Sequence, residues 1–199
     1  MTPPLTPEQA SALYECFLRD TLDLMRQVPG VQPAIAFLPA GERPYFETLA
    51  PDFELVVQEG DSLGERLDNA LTGCLNAGYQ RAVIMNSDGP TLPAASLTAA
   101  FDRLRNGTDV VLGPSDDGGY YLIGLRQPAP RLLREVRMST PDVLADTLRI
   151  AAEEDLQVEL LPAWYDVDDE ESLARLQNEL AGAPPDVARH TRTLLNAWR

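Results

Sequence analysis

Short apolar runs alternate along most of this chain with amphipathic helical patterns of about 10–15 residues, and that alternation leaves few folds open. The runs at 34–38, 54–57, 82–85, 109–112, 120–125 and 158–161 read as strands. Helical spacing fills the stretch around Tyr45 and Leu49, then 62–77, 94–105, 140–154 and, after the last strand, 170–180. Strands joined by helical crossovers imply a largely parallel sheet with helices on its faces. The run at 120–125 comes too soon after its predecessor for such a crossover, so it is expected to pair antiparallel. Chain ends and turns fit the same scheme. Thr6-Pro7-Glu8-Gln9 reads as a capping box with proline in the first turn, ahead of an apolar face of Ala10, Leu13, Tyr14, Phe17, Leu18, Met25 and Val28 that Pro29-Gly30 ends. Ser62 and Glu65 form a second capping box, and Thr140-Pro141 is expected to start a later helix. The expected organisation is one α/β domain over 1–182, with the Ala183-Pro184-Pro185 joint and a terminal helix ending at Trp198 (183–199) belonging to it.

Charge narrows the function classes. With 31 acidic against 16 basic residues the formal net charge is −15, and the basic residues form no stripe of the kind that tracks a phosphate backbone, so nucleic acid is not an expected partner. An anionic small substrate would need a divalent cation, an arginine or a helix N-terminus to offset the field. Cys16 and Cys74 lie far apart inside helical patterns and read as buried free thiols in a reducing compartment. No apolar run approaches the roughly 18 residues that span a bilayer, and no signal-like segment is visible, so the expected location is the cytoplasm. His190 is the only histidine and sits in the terminal helix, where a structural or solvent-facing role is expected; zinc chemistry and histidine-based triads have no support.

Ligands of open α/β sheets bind beyond the carboxyl ends of strands, which directs attention to four polar segments. In Asn86-Ser87-Asp88-Gly89-Pro90 a strand ends in an aspartate that could hold Mg²⁺ or Mn²⁺, or could cap the next turn. In Asp166-Val167-Asp168-Asp169, alternation puts Asp166 and Asp168 on one side if the segment is extended; Asp168 or Asp169 could equally cap the helix that comes next. The Gly113–Tyr121 stretch, with Asp117, Gly118 and Gly119, suits either close approach to a ligand or an ordinary glycine turn. The fourth, from Gln58 through Asp61, Ser62 and Gly64 to Arg66, opens a helix whose amides favour an anion. Arg66 in its first turn suggests a phosphate, or else a salt bridge to a nearby acid.

Taken together, Gly60-Asp61-Ser62-Leu63-Gly64-Glu65-Arg66-Leu67, Ser87-Asp88-Gly89-Pro90-Thr91-Leu92-Pro93, Gly113-Pro114-Ser115-Asp116-Asp117-Gly118-Gly119-Tyr120-Tyr121-Leu122-Ile123-Gly124 and Asp166-Val167-Asp168 resemble one family. It is the bacterial glycosyltransferase-like family also called selenodomain-associated transferase. The resemblance implies the three-layer GT-A fold of nucleotide-diphospho-sugar transferases, shared with molybdenum-cofactor and phospholactate guanylyltransferases. It also implies a Mg²⁺ or Mn²⁺ site built from Asp88 with Asp166 or Asp168, so that Asp88 and Asp168 are the expected catalytic pair. Asp61, Gly64 and Arg66 would contact a nucleotide or nucleotide-sugar, and Asp117, Gly118 and Gly119 would line the side of a small-molecule acceptor. Glycosyl transfer is the leading expectation, with transfer of a nucleoside monophosphate to a phosphorylated acceptor as a close variant and a non-catalytic binding remnant as a third reading. Members of that family open with a strand and a glycine-containing loop ending in a Lys-Thr-Arg-like run, whereas Thr2 to Gln9 resembles the segment immediately after that loop. The implied first strand and phosphate loop are thus missing, and Met1 reads as an internal methionine. Losing the loop's cations would commonly cost about a hundredfold or more in rate. The strands at 34–38 and 82–85, which would flank the missing strand, should either expose ladder groups or close on one another, which leaves a homodimer open.

Overall fold

The computed structural model describes residue 2 and residues 4–198; the reading of Met1 as an internal methionine, and Pro3 in the segment after it, fall outside the described residues. The first helix, α1 (Pro7–Met25), begins where its capping box sets it: Gln9 N–H donates to Thr6 Oγ1 and Thr6 N–H donates to the Gln9 side chain at 2.9 Å. Leu13 and Phe17 on its inner face are wholly buried, but Tyr14, expected on that face, is 46% exposed. Next come β1 (Ala34–Phe37), α2 (Arg43–Leu49), β2 (Glu54–Val57), α3 (Leu63–Asn76), β3 (Ala82–Met85), α4 (Ala94–Arg105), β4 (Val110–Pro114) and β5 (Tyr120–Leu125). The chain ends with α5 (Arg131–Arg134), α6 (Val143–Glu153), β6 (Val158–Leu160), α7 (Glu170–Gly182) and α8 (Arg189–Ala197). The short α5 was not expected. Helix α6 starts later than Thr140 because that residue's hydroxyl turns back to the Arg137 carbonyl at 3.0 Å, beside a left-handed Ser139.

The strands form a four-stranded sheet in the order β3-β5-β4-β6 and a separate parallel pair, β1-β2. As expected, β5 is the reversed strand: it pairs antiparallel with β3 and β4, while β4 and β6 are parallel, so β3, β4 and β6 all run the same way. Of the two outcomes foreseen for β1 and β3, the structure has the open one. They lie in different sheets, and a cavity of about 940 Å³ touches both.

Strand alternation builds the layers. Val110, Leu112, Ile123 and Leu125 face Leu71 of α3, Leu132 and Leu133 of α5 and Ile150 of α6. Val111 and Leu122 face the other way, onto Leu24 of α1 and Leu97, Ala100 and Leu104 of α4. This is the three-layer α/β arrangement expected from the sequence. Helices α7 and α8 close over α1 through Leu13, Phe17, Leu173, Leu176 and Leu195. The buried Asp20 accepts from the His190 and Thr191 main-chain N–H groups, both at 2.9 Å, and His190 Nε2 lies 3.1 Å from Asp23, so this histidine is structural. Among the described residues no helix is long and apolar enough to cross a membrane.

Candidate active site

Because β3, β4 and β6 share a direction, their carboxyl ends deliver three loops to one edge of the sheet. The segment after β6 then crosses those ends. Leu161 N–H donates to Leu112 O at 2.8 Å, Trp164 N–H to Pro114 O at 3.0 Å, and Val167 N–H to Asp88 O at 2.9 Å. The last of these bonds stitches together the two acidic loops that are distant in sequence. Asp88, Asp117, Gly119, Asp166 and Asp168 all line the cavity beside β3.

The two neighbouring carboxylates after β6 have different surroundings. Asp166 accepts from Asn86 Nδ2 at 2.9 Å through Oδ1 and from Ser115 Oγ at 2.8 Å through Oδ2, so it ties the ends of β3 and β4 to this segment. The residue that caps α7 is Asp169, whose Oδ1 accepts from Ser172 N–H at 2.8 Å, so the capping role weighed for Asp168 falls to its neighbour. Burial pushes the Asp88 carboxyl up to about 6, and the charges of Asp168 and Asp166 add to the effect. Asp168 is raised as well, first by burial and then by Asp166 and Asp117. Like charges drawn into a half-buried pocket are a demand for positive charge, and oxygen donors of this kind suit Mg²⁺ or Mn²⁺.

Among the described residues, the group of three acidic or histidine ligands whose atoms lie within 4.8 Å of one another is Asp20, Asp23 and His190, not the strand-end aspartates. Its oxygens are already used: Asp20 by the α8 amides, Asp23 by Arg26 and Arg189. An ion at the strand ends would take two protein carboxylates and fill its remaining positions with phosphate oxygens and water, which is the usual habit of Mg²⁺.

The remaining anticipated residues separate into two groups. Asp117 and Gly119 stay at the cavity, with Gly119 N–H donating to Asp117 Oδ1 at 2.9 Å. Gly118, at φ 91°, is packed instead under the start of α6, where a Cβ would collide with the Pro141 carbonyl and where its own oxygen accepts from Leu144 N–H at 3.0 Å. Gly64 lies against α5, and a Cβ there would collide with the Leu133 carbonyl oxygen. Asp61 is exposed and its N–H donates to Glu65 Oε2 at 2.7 Å. Arg66 has a buried Nε without a hydrogen-bond partner. None of these four lines the cavity, although Leu63 and Leu67 of α3 do.

Sequence reasoning passed over Ser115 and Asn86 as donors to Asp166, and Tyr14, whose hydroxyl lies 2.9 Å from Ser87 Oγ at the cavity wall. Tyr14 could have been found by noting that a tyrosine at the edge of an apolar stripe carries a polar tip that needs a partner.

Three solved structures resemble this one over most of its length. A candidate nucleotide-diphospho-sugar transferase from Desulfovibrio desulfuricans G20 is 31% identical, with 96% of this chain and 83% of that chain covered and a TM-score of 0.89. CMP:2-keto-3-deoxy-manno-octonic acid synthetase complexed with CTP is 11% identical over 83% of this chain and 87% of that one, at TM-score 0.54. A cytidylyltransferase from Leptospira borgpetersenii serovar Hardjo-bovis is 12% identical over 91% and 83%, at TM-score 0.55. At such identities the last two speak to fold alone. No curated protein matches by sequence. With the Desulfovibrio structure aligned along nearly the whole chain, and the profile described as "Uncharacterized protein conserved in bacteria (DUF2064)" matching residues 21–140, the chain belongs to that bacterial family and has the GT-A-like fold of the nucleotide-diphospho-sugar transferases.

Proposed function

We propose that the protein is a divalent-metal-dependent transferase that uses a nucleotide-activated sugar donor. The observation that carries this reading is the junction of the two acidic loops, where Val167 N–H holds the Asp88 carbonyl and the Asp88 carboxyl is driven up to about 6 beside Asp168 and Asp166. In this reading Asp88 and Asp168 hold Mg²⁺ or Mn²⁺, while Asp166, its two oxygens occupied by Asn86 and Ser115, fixes the loop that carries Asp168. The ion would supply charge neutralisation on the diphosphate and on the leaving group. An acceptor hydroxyl held near Asp117 and Gly119 attacks the anomeric carbon, and the bond from that carbon to the diphosphate oxygen breaks. Its electron pair leaves on the nucleoside diphosphate and the hydroxyl proton passes to a neighbouring carboxylate.

Thermal melts with nucleoside-diphospho-sugars and nucleoside triphosphates, each with and without Mn²⁺, test the reading. A nucleotide-sugar at about 100 times its Kd should stabilise by about 2.7 kcal/mol, a rise of several degrees, and only when Mn²⁺ is present. Asp88→Asn and Asp168→Asn should remain folded and lose the rise. If no nucleotide gives metal-dependent stabilisation, the transferase reading fails and the chain is a binding remnant. Pyrophosphate release from a triphosphate would assign nucleotidyl transfer instead.

A further inference from the structure

We infer that Ser139, on the loop between α5 and α6, is a specificity-determining residue of the strand-end site, its hydroxyl meeting the sugar of a nucleotide-sugar donor; the inference rests on the transferase reading above. Three of the described residues other than glycine have a positive φ: Ser139 at 60°, Asp155 at 53° and Ala188 at 45°. Asp155 follows the C-cap of α6, where helices commonly end in a left-handed residue, and Leu156 N–H donates back to Ala151 O at 2.9 Å. Ala188 is the N-cap of α8 and turns the amides of His190 and Thr191 onto Asp20. Ser139 neither ends a helix nor begins one, since α5 stops at Arg134 and α6 starts at Val143. It is the one of the three that lines the cavity with Asp88, Asp117 and Asp168. The left-handed region disfavours any side chain, and residues held there gather at ligand sites.

The surroundings impose that conformation. Thr140 Oγ1 donates to Arg137 O at 3.0 Å and Val143 N–H to Thr140 O at 3.3 Å, which closes the loop on either side of Ser139. The Pro141 carbonyl packs on Gly118 with no room for a Cβ, and Leu144 N–H donates to Gly118 O at 3.0 Å. Ser139 is thereby fixed against the turn that carries Asp117 and Gly119. It is exposed, and its hydroxyl, unlike that of Thr140, has no partner among the described residues. The wall around it is uncharged: Met138, Thr140, Pro141 and Val143 reach the cavity, whereas Arg137 and Asp142 of the same loop do not. A hydroxyl amid apolar surface, next to a turn bearing a carboxylate, suits a neutral hydroxylated group and opposes a phosphate. With the diphosphate on the ion between Asp88 and Asp168, the sugar joined to it is the neutral part of the donor that reaches this wall.

Calorimetric titrations in Mn²⁺ separate the sugar from the nucleotide. The probes are UDP-glucose, UDP-galactose, GDP-mannose and ADP-glucose, each set against its own nucleoside diphosphate. For a nucleotide-sugar that wild type binds, Ser139→Ala should raise the Kd about fivefold, the net effect of one hydrogen bond, and leave the Kd of the matching diphosphate unchanged. Ser139→Gly should show the same selective loss while its Tm rises by about 2 °C, because glycine accepts the left-handed conformation without strain. A gain in stability joined to a loss of sugar binding is what a purely structural serine would not give. Nucleotide-sugar binding that is as tight in both variants as in wild type overturns the inference and leaves the transferase reading standing. Equal weakening of sugar and diphosphate also overturns it, since Ser139 then meets the nucleotide. A lower Tm in Ser139→Gly overturns it too, because the left-handed serine then serves the fold. If wild type binds neither class of probe with Mn²⁺, the transferase reading fails and the inference with it.

Discussion

At the Asp88 carboxyl, burial and two neighbouring carboxylates all act in one direction, and the consequence is a pH dependence of definite sign. The folded state keeps the proton up to about 6, against 3.8 for the free side chain, a preference worth about 3 kcal/mol. Between those values the folded chain binds more protons at this position than the unfolded one. The contribution of Asp88 to ion-free stability is therefore present below about pH 4 and is lost as the pH rises through about 6. Glu65, Glu135 and Glu153 are shifted the other way by their partners, so the total curve mixes both signs. Urea melts of wild type and Asp88→Asn from pH 4 to 7 isolate the term: the variant should gain relative to wild type as pH rises, and a flat difference would contradict it. If Asp88 holds Mn²⁺ as proposed, the ion competes with the same proton, and its affinity should climb about tenfold per pH unit up to about 6 and then level. Asp166 differs from Asp88 in kind. Asp166→Ala leaves Asn86 Nδ2 and Ser115 Oγ without their acceptor and should cost about 1–3 kcal/mol in the same melts, with or without ion.

At the scale of elements, what could be read in advance is what is written locally. Capping boxes at Thr6 and Ser62 placed the starts of α1 and α3, and apolar runs bounded by turns placed all six strands. The reversed strand was legible because the Ser115–Gly119 turn is too short for a helix. Helix α5 escaped because four residues cannot display a period, and Tyr14 was misjudged because periodicity counts a tyrosine as apolar and ignores its hydroxyl. The candidate site divides in the same way: a carboxylate at a strand end is visible in sequence, but the bonds from Asn86 and Ser115 to Asp166 span 80 and 51 positions. Glycines are the instructive case. The family resemblance implied that Gly64 meets a ligand, whereas close approach of α3 to α5 is what its position requires. Gly64→Ala must push the Leu133 carbonyl aside and should lower stability by about 1–3 kcal/mol in denaturant melts.

For the whole molecule, the decisive packing is the return of the chain's end onto its beginning. Helix α8 starts at a left-handed Ala188 that offers no side-chain cap, and the missing acceptor is supplied from α1, where buried Asp20 takes the His190 and Thr191 N–H groups. A carboxylate at a helix N-terminus also meets the positive end of the helix dipole, so capping and electrostatics coincide. Asp20→Ala should therefore cost about 2–4 kcal/mol, because the buried Thr191 amide and the part-buried His190 amide lose a charged acceptor together. The loss should be local first: in hydrogen exchange the α8 amides should lose protection well before those of β4 and β5, which sit in the centre of the sheet, and trypsin should cut sooner at Arg189 and Arg192. Asp20→Asn keeps an acceptor oxygen without the charge and should fall between the two. Neither substitution touches the strand-end aspartates, so the Mn²⁺-dependent stabilisation by nucleotide-sugar that the proposed function expects should be the same in both as in wild type at temperatures where they are folded. Unchanged protection of α8 in Asp20→Ala would show that the apolar contacts of Leu195 with Leu13 and Phe17 hold the helix by themselves.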